Sequence, residues 1–207
     1  EAENGVLERL LEKDRLQYER AKEDMEKINI RYHDLKQQYS RVSAEERANL
    51  ESEMRSLNLR YFTGNKALDI VITQKASLCA QKDVQLICSA DGEALGSMKS
   101  YHIYSLFGNA IDNAIECLEQ VADRSRRTIS VSVTRSGDMA VIRFENYTPT
   151  KPVVEKGSLV TTKEDSESHG YGMRSIKGIA EKYGGTAEFF VCDHVFYLVV
   201  ALPIARL

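Results

Sequence analysis

Ser105-Leu-Phe-Gly-Asn-Ala-Ile-Asp-Asn-Ala-Ile-Glu-Cys117 is the stretch on which the reading of the fold turns. Around it Tyr104, Phe107, Ile111, Ala114, Leu118 and Val121 recur three or four apart, the spacing that lays one apolar stripe along a helix. Asn109 and Asn113 lie off that stripe and four residues apart, which stacks two carboxamides on another face. Asparagine is a poor helix-interior residue because its side chain competes for backbone hydrogen bonds. Two stacked ones therefore point to a task.

Upstream, no proline precedes residue 149 and no glycine falls between Val6 and Thr63, so long helices can run uninterrupted. Leu7, Leu11, Tyr18, Ala21, Met25, Ile28, Tyr32, Leu35, Tyr39 and Val42 follow steps of four and three, with one polar slot at Asp14. That is the seam of a coiled coil or bundle. A turn is expected near Arg41 to Ala44, where Ser43 and Glu46 make a capping box. A second seam follows through Leu50, Met54, Leu57, Tyr61, Leu68, Val71 and Leu78, with Gly64 and Lys75 in register. The unchanged register predicts one long helix, weakened at Thr63-Gly64 by glycine's backbone entropy. Two antiparallel helices cannot bury both seams alone, so pairing with a second copy into a four-helix bundle is expected. The alternative is a hairpin packed onto its own C-terminal domain. On the first helix, His33-Asp34 follows Tyr32 and precedes Leu35, so the seam turns His33 outward, with a carboxylate beside it to orient the ring and take its proton.

Downstream of Gln81 the composition changes to an α/β pattern. Val84 to Cys88 reads as a strand, and the asparagine helix runs from about Lys99 to Ala122. Ile129 to Thr134 and Met139 to Glu145 read as a hairpin across Arg135-Ser136-Gly137-Asp138. Residues 147 to 168 are polar, with Pro149, Pro152 and Gly157 and no periodicity, as in a functional lid. His169-Gly170-Tyr171-Gly172-Met173 opens a helix that Gly184-Gly185 ends. Thr186 to Cys192 and Val195 to Leu202 form a last hairpin turned at Asp193-His194. The expected fold is α+β: a long helical hairpin over 1–81, then an α/β sandwich over 82–207 with a mixed sheet and helices on one face. Glycines at a helix start let backbone amides and the helix dipole approach a phosphate.

The net charge of −3, with 28 basic and 31 acidic residues, offers no field for nucleic acid. The longest apolar run, Val195 to Ile204, is too short and broken to span a membrane. The four cysteines are scattered without metal spacing and read as reduced thiols. The chain begins at Glu1, already in helical pattern, which reads as a region of a longer protein.

Together these motifs resemble the GHKL nucleotide-binding superfamily and, within it, sensor histidine kinases of the Firmicutes peptide-sensing and quorum-sensing type. Asn109-Ala-Ile-Asp-Asn113-Ala is similar to the N box, and Ser168-His-Gly170-Tyr-Gly172-Met173 to the second glycine box. Tyr32-His33-Asp34-Leu35-Lys36 resembles the phosphoacceptor box. Thr63-Gly64-Asn65 with Leu68-Asp69 resembles the family's second bundle helix. The resemblance implies ATP and Mg²⁺ as cofactors. Asn113 would hold the metal and Asn109 would assist. Amides from Gly170 to Met173 would hold the phosphates, and residues 148 to 169, with His169 and the phosphate contact Lys163, would form the lid. His33 would receive the γ-phosphoryl group and Asp34 would act as general base. The partners implied are a second copy through the bundle and the receiver domain of a response regulator. A cytoplasmic location follows, with membrane contact only through an upstream sensor region.

Asn146 stands where the family places an adenine-reading Asp, with no glycines after it, and Glu145 is a weaker candidate for that role. A degenerate module acting as a dimeric scaffold is therefore a second reading. Gln37 and Gln38 follow the acceptor, and Gln38 sits where one kinase family positions a water. GHKL machines that hydrolyse ATP carry Glu at the position of Asn109. An amide cannot accept that proton, so hydrolysis is disfavoured.

Overall fold

The computed structural model describes residues 2–39, 47, 50–51, 61–149, 153–155, 158–160 and 171–204. The elements are α1 (Ala2–Tyr39), α2 (Lys66–Gln81), β1 (Gln85–Ala90), α3 (Ser100–Glu119), β2 (Thr128–Ser136), β3 (Met139–Tyr147), β4 (Val153–Glu155), β5 (Ser158–Val160), α4 (Tyr171–Lys182), β6 (Thr186–Cys192) and β7 (Val195–Pro203).

Five strands form a mixed sheet in the order β1-β2-β3-β7-β6, with β1 and β2 parallel and every other neighbour antiparallel. A parallel pair needs a crossover, and α3 supplies it between β1 and β2. Alternation sets the buried face: Ile129, Val131 and Val133 on β2, Ala140, Ile142 and Phe144 on β3, and Leu198, Val200 and Leu202 on β7. These meet the buried stripe of α3, where Phe107 lies edge-on to Phe144 with ring centroids 5.2 Å apart. The opposite face of the sheet carries Arg143, Tyr197 and the half-exposed Phe190, and stays open. Asp193 and His194 turn β6 into β7 with φ of 48° and 61°, the left-handed pair that a two-residue hairpin requires. Between Tyr147 and α4, expected to be irregular throughout, β4 and β5 form a short antiparallel hairpin.

The expected long second helix is interrupted. Its first part falls largely outside the described residues, as does the turn at 41–44. Tyr39 does meet the helical residues Arg47 and Glu51, donating to Glu51 Oε1 at 2.6 Å. At Thr63-Gly64 the chain leaves helical geometry, with Gly64 at φ 87°, and α2 starts anew from Asn65. The reason is tertiary. In a continuous helix the Thr63 carbonyl would accept from Ala67 N–H. Here it accepts from Gly92 N–H at 2.7 Å, and Asn65 Oδ1 takes Ala67 N–H and Leu68 N–H instead. Thr63 also donates to Asp69 through both its backbone N–H and its hydroxyl at 2.8 Å. Gly92 sits so close that a Cβ there would lie 2.6 Å from Thr63 Oγ1. The Thr63-Gly64-Asn65 motif is thus a helix cap, not part of a helix interior.

α2 packs against α3 and β1 as part of the α/β layer. Lys75, one polar slot of the second seam, bonds to both carboxylate oxygens of Asp112 on α3 at 2.6 and 2.7 Å. The first seam is the buried face of α1, as its spacing predicts, and its N-terminal half lies on the chain's own core. Tyr18 belongs to the central core, and Leu11, Ala21 and Met25 pack against it. The Tyr18 and Tyr104 rings meet edge-on at 5.7 Å. The alternative weighed from the sequence, packing onto the chain's own C-terminal domain, holds for this half. Among the described residues no helix is long and apolar enough to cross a membrane, and all four cysteines are free.

Candidate functional site

α3 turns its apolar stripe inward and leaves Asn109 half-buried and Asn113 exposed on one side. α4 begins beside them. A Cβ built on Gly172 would lie 3.3 Å from both Nδ2 and Oδ1 of Asn113, so the first turn of α4 rests against that carboxamide. Asn113 has no hydrogen-bond partner among the described residues. An exposed amide oxygen next to glycine backbone at a helix start can serve a cation and an anion together. Met173 is half-buried and packs against the core, which seats that first turn.

The end of β3 meets the next turn of α3. Cys117, one turn beyond Asn113, donates to the Tyr147 carbonyl at 3.7 Å. Asn146 continues the inward-facing row of β3 and is 5 % exposed. Its Nδ2 donates to the Tyr147 carbonyl at 2.9 Å, and its Oδ1 has no partner among the described residues. The oxygen is the atom an adenine amino group would need. Glu145, the weaker candidate, points to the open side of the sheet, 3.7 Å from Arg143. Alternation along the strand puts its side chain on the face opposite that of Asn146.

Asn109 belongs to a polar cluster that the sequence reading did not assemble. Its Nδ2 donates to Ser105 Oγ at 3.2 Å, and Ser175 Oγ of α4 lies 3.3 Å from the same oxygen. Ser105 in turn donates to the carboxylate of Asp14 on α1. The signal was present as the polar slot in the first seam, but nothing local identifies its partner 91 residues away. Burial raises the Asp14 carboxyl above the ordinary carboxylate range, and the Ser105 hydrogen bond works against that rise.

His102, near the start of α3, is wholly buried. Its Nδ1 lies 2.7 Å from Tyr183 Oη, which accepts from Lys99 N–H at 2.8 Å, and the imidazole tautomer sets which of the two donates. Nε2 has no hydrogen-bond partner among the described residues. Burial, followed by the charges of Lys182 and Lys99, lowers the His102 pKa to about 4. The folded state thus resists a proton that the unfolded chain takes up near 6.5. Stability is complete above pH 6.5 and falls as the pH drops toward 4, by up to about 3 kcal/mol at roughly 1.4 kcal/mol per unit. Urea melts of the native and His102→Phe proteins across that range are expected to show a steeper acid-side loss in the native protein. Asp14 shifts in the opposite sense and is common to both, so it cancels in the comparison.

His33 and Asp34 are exposed on α1, and Gln37 Nε2 lies 3.5 Å from His33 Nδ1. Gln38 is exposed as well. At roughly 1.5 Å per residue, His33 stands about 28 Å along α1 from Asp14, which marks the level of Ser105. Asn109, Asn113, Gly172 and Met173 are brought together, Asn146 shares the Tyr147 carbonyl with Cys117 of α3, and the His33-Asp34 pair lies apart on α1. Lys163, His169 and Gly170 fall outside the described residues.

Residues 98–203 match the family described as GHKL domain. The architecture is similar to nucleotide-free forms of the catalytic domain of histidine kinase ThkA. One has a TM-score of 0.53 at 16% identity, covering 69% of this chain and 94% of that one. Another has 0.54 at 15%, covering 70% and 97%. Histidine kinase AdeS of Acinetobacter baumannii aligns at 0.43 and 12% identity, over 66% of this chain and 64% of its own. At such identities the likeness is one of fold. No curated protein matches the chain. With the family match covering just over half of its length, and with the Asn113 carboxamide set against the Gly172 backbone inside that span, the chain belongs to the GHKL domain family.

Proposed function

We propose that this chain is the ATP-dependent autokinase region of a two-component sensor histidine kinase, of the peptide- and quorum-sensing type. The observation that carries the reading is the contact between Gly172 and the carboxamide of Asn113, which has no hydrogen-bond partner among the described residues. The donor set fits magnesium held jointly with phosphates. The amide oxygen of Asn113 carries no net charge, so in this reading the nucleotide phosphates supply the counter-charge. Asn113 Oδ1 is the metal ligand and Asn109 assists. The backbone from Gly170 to Met173 holds the phosphates, with Lys163 and His169 acting from the lid over 148–169. Asn146 Oδ1 accepts from the adenine amino group. Bound Mg²⁺ supplies neutralisation of charge at the transferring phosphoryl group.

His33 is the acceptor. A ring nitrogen forms the new bond to the γ-phosphorus as the bond to the β–γ bridging oxygen breaks and ADP leaves, while Asp34 takes the ring proton. The exposure of His33 supports this role, because a donor domain must reach it. The separation of about 28 Å along α1 means transfer requires α1 to leave its seat on α3 or α1 of a second copy to present its histidine. A homodimer through the helical bundle would supply that second copy. The phosphoryl group then passes to an aspartate of a response regulator. A cytoplasmic location below a membrane-bound sensor region completes the reading, with no role for nucleic acid.

Incubation with γ-labelled ATP and Mg²⁺ is expected to give acid-labile label on the native protein and none on His33→Ala. Label that persists in the variant overturns the acceptor assignment. The adenine position, Asn146 in place of Asp, favours one second reading, a dimeric scaffold that binds regulator without kinase activity. No label, together with no ADP binding at millimolar concentration, would select it.

A further inference from the structure

We propose that Asp14 is a positioning residue for the nucleotide site: through Ser105 it dictates which edge of the Asn109 carboxamide faces the cleft. The inference rests on the nucleotide-site reading given above for its consequence, and on the hydrogen-bond inventory of one hydroxyl for its cause. A serine hydroxyl has one proton to give and two lone pairs to receive with. Ser105 Oγ meets three partners: Asp14, Asn109 and Ser175. Asp14 bears a carboxylate that only accepts, so the Ser105 proton must go to it. Both lone pairs are then left for donors. Asn109 must present its NH₂ edge, at 3.2 Å, and Ser175 must donate its hydroxyl proton, at 3.3 Å.

The amide of an asparagine can be turned over at little steric cost, because its oxygen and nitrogen are nearly the same size. What decides between the two orientations is the hydrogen-bond demand of its neighbour. With Asp14 in place, the nitrogen is held at Ser105 and the oxygen occupies the other edge of the carboxamide. Without Asp14, the Ser105 proton is released, and the hydroxyl can donate to Asn109 Oδ1 equally well. The turned-over amide would then offer the cleft an NH₂ group, which cannot ligate a cation. Asp14 therefore selects for Asn109 the orientation in which its oxygen is available beside Asn113.

The carboxylate comes from α1, whereas Ser105 and Asn109 are on α3 and Ser175 on α4. The selection thus operates while α1 is seated against the α/β layer through Leu11, Tyr18, Ala21 and Met25. Movement of α1 would be felt at Asn109 without any change in the backbone of α3.

The test uses the full chain and three variants, Asp14→Leu, Asp14→Asn and Ser105→Ala. In nucleotide-free protein, the side-chain amide resonances of Asn109 are expected to move and exchange faster with solvent in Asp14→Leu and Ser105→Ala. They should move less in Asp14→Asn, whose amide oxygen can still accept from Ser105 but whose NH₂ edge no longer obliges that hydroxyl to donate. Calorimetry with ADP is expected to show affinity about tenfold weaker in Asp14→Leu and Ser105→Ala with Mg²⁺ present, and within twofold of native in EDTA. A purely structural role of Asp14 would weaken both titrations alike. Native-like Asn109 resonances in Asp14→Leu, or equal losses with and without Mg²⁺, overturn the proposal. Should the native protein bind no nucleotide, the functional reading fails, and the amide resonances alone decide whether Asp14 orients Asn109.

Discussion

Asn113→Ala is expected to bind Mg-ADP roughly a hundredfold more weakly than the native protein, a loss of about 3 kcal/mol. The side chain is exposed and has no partner among the described residues, so its removal leaves no buried group unsatisfied and opens no cavity. The melting temperature should therefore stay within a degree or two while binding collapses. The carboxamide is also the group against which the first turn of α4 rests, with a Cβ on Gly172 falling 3.3 Å from either of its polar atoms. On the proposed reading, losing it would remove a metal ligand and one wall of the phosphate cradle together. Asn113→Asp keeps an oxygen in place and should retain most of the affinity. Calorimetry at fixed Mg²⁺ reads all three proteins, and native-like affinity in Asn113→Ala would remove this residue from the site.

Phe107→Ala is expected to cost about 4 kcal/mol of folding stability. Phe107 is fully buried at the centre of α3, where the helix stripe meets the sheet, and its ring packs edge-on against Phe144 at 5.2 Å. Truncation removes apolar surface from the core and leaves a cavity that neither α3 nor β3 can close without losing other contacts. That figure is a large share of the stability of a domain of this size. Phe190→Ala on the open face is the control. Phe190 is 52% exposed and stacks on Tyr197 at 4.9 Å, so its removal should cost about 1 kcal/mol or less. Urea unfolding followed by circular dichroism measures both, and equal losses would contradict the one-sided core.

Much of the α/β layer is legible in the residues because its elements obey local rules. The apolar stripe of α3 has helical spacing, β2, β3 and β7 alternate with a period of two, and Asp193-His194 occupies the turn that such a hairpin needs. The two asparagines and the glycine before Met173 are visible as exceptions to those rules. The Thr63-Gly64 segment is the opposite case. Its seam register continues unbroken, and the sequence spacing there is compatible with a helix. The break arises because Gly92, brought up beside it at the end of β1, supplies a donor to the Thr63 carbonyl.

By itself, then, the sequence determined the stripe on α3, the strands, the glycine-opened α4 and the outward placement of His33, all consequences of periodicity and turn chemistry within a few residues. Only the tertiary structure decided what covers the first half of the α1 seam, which acid meets Ser105, and that Gly172 stands against Asn113. Those are contacts between distant parts of the chain. Their free energy depends on which surfaces the folded sheet and helices bring within hydrogen-bond and van der Waals distance, and no local pattern encodes that proximity.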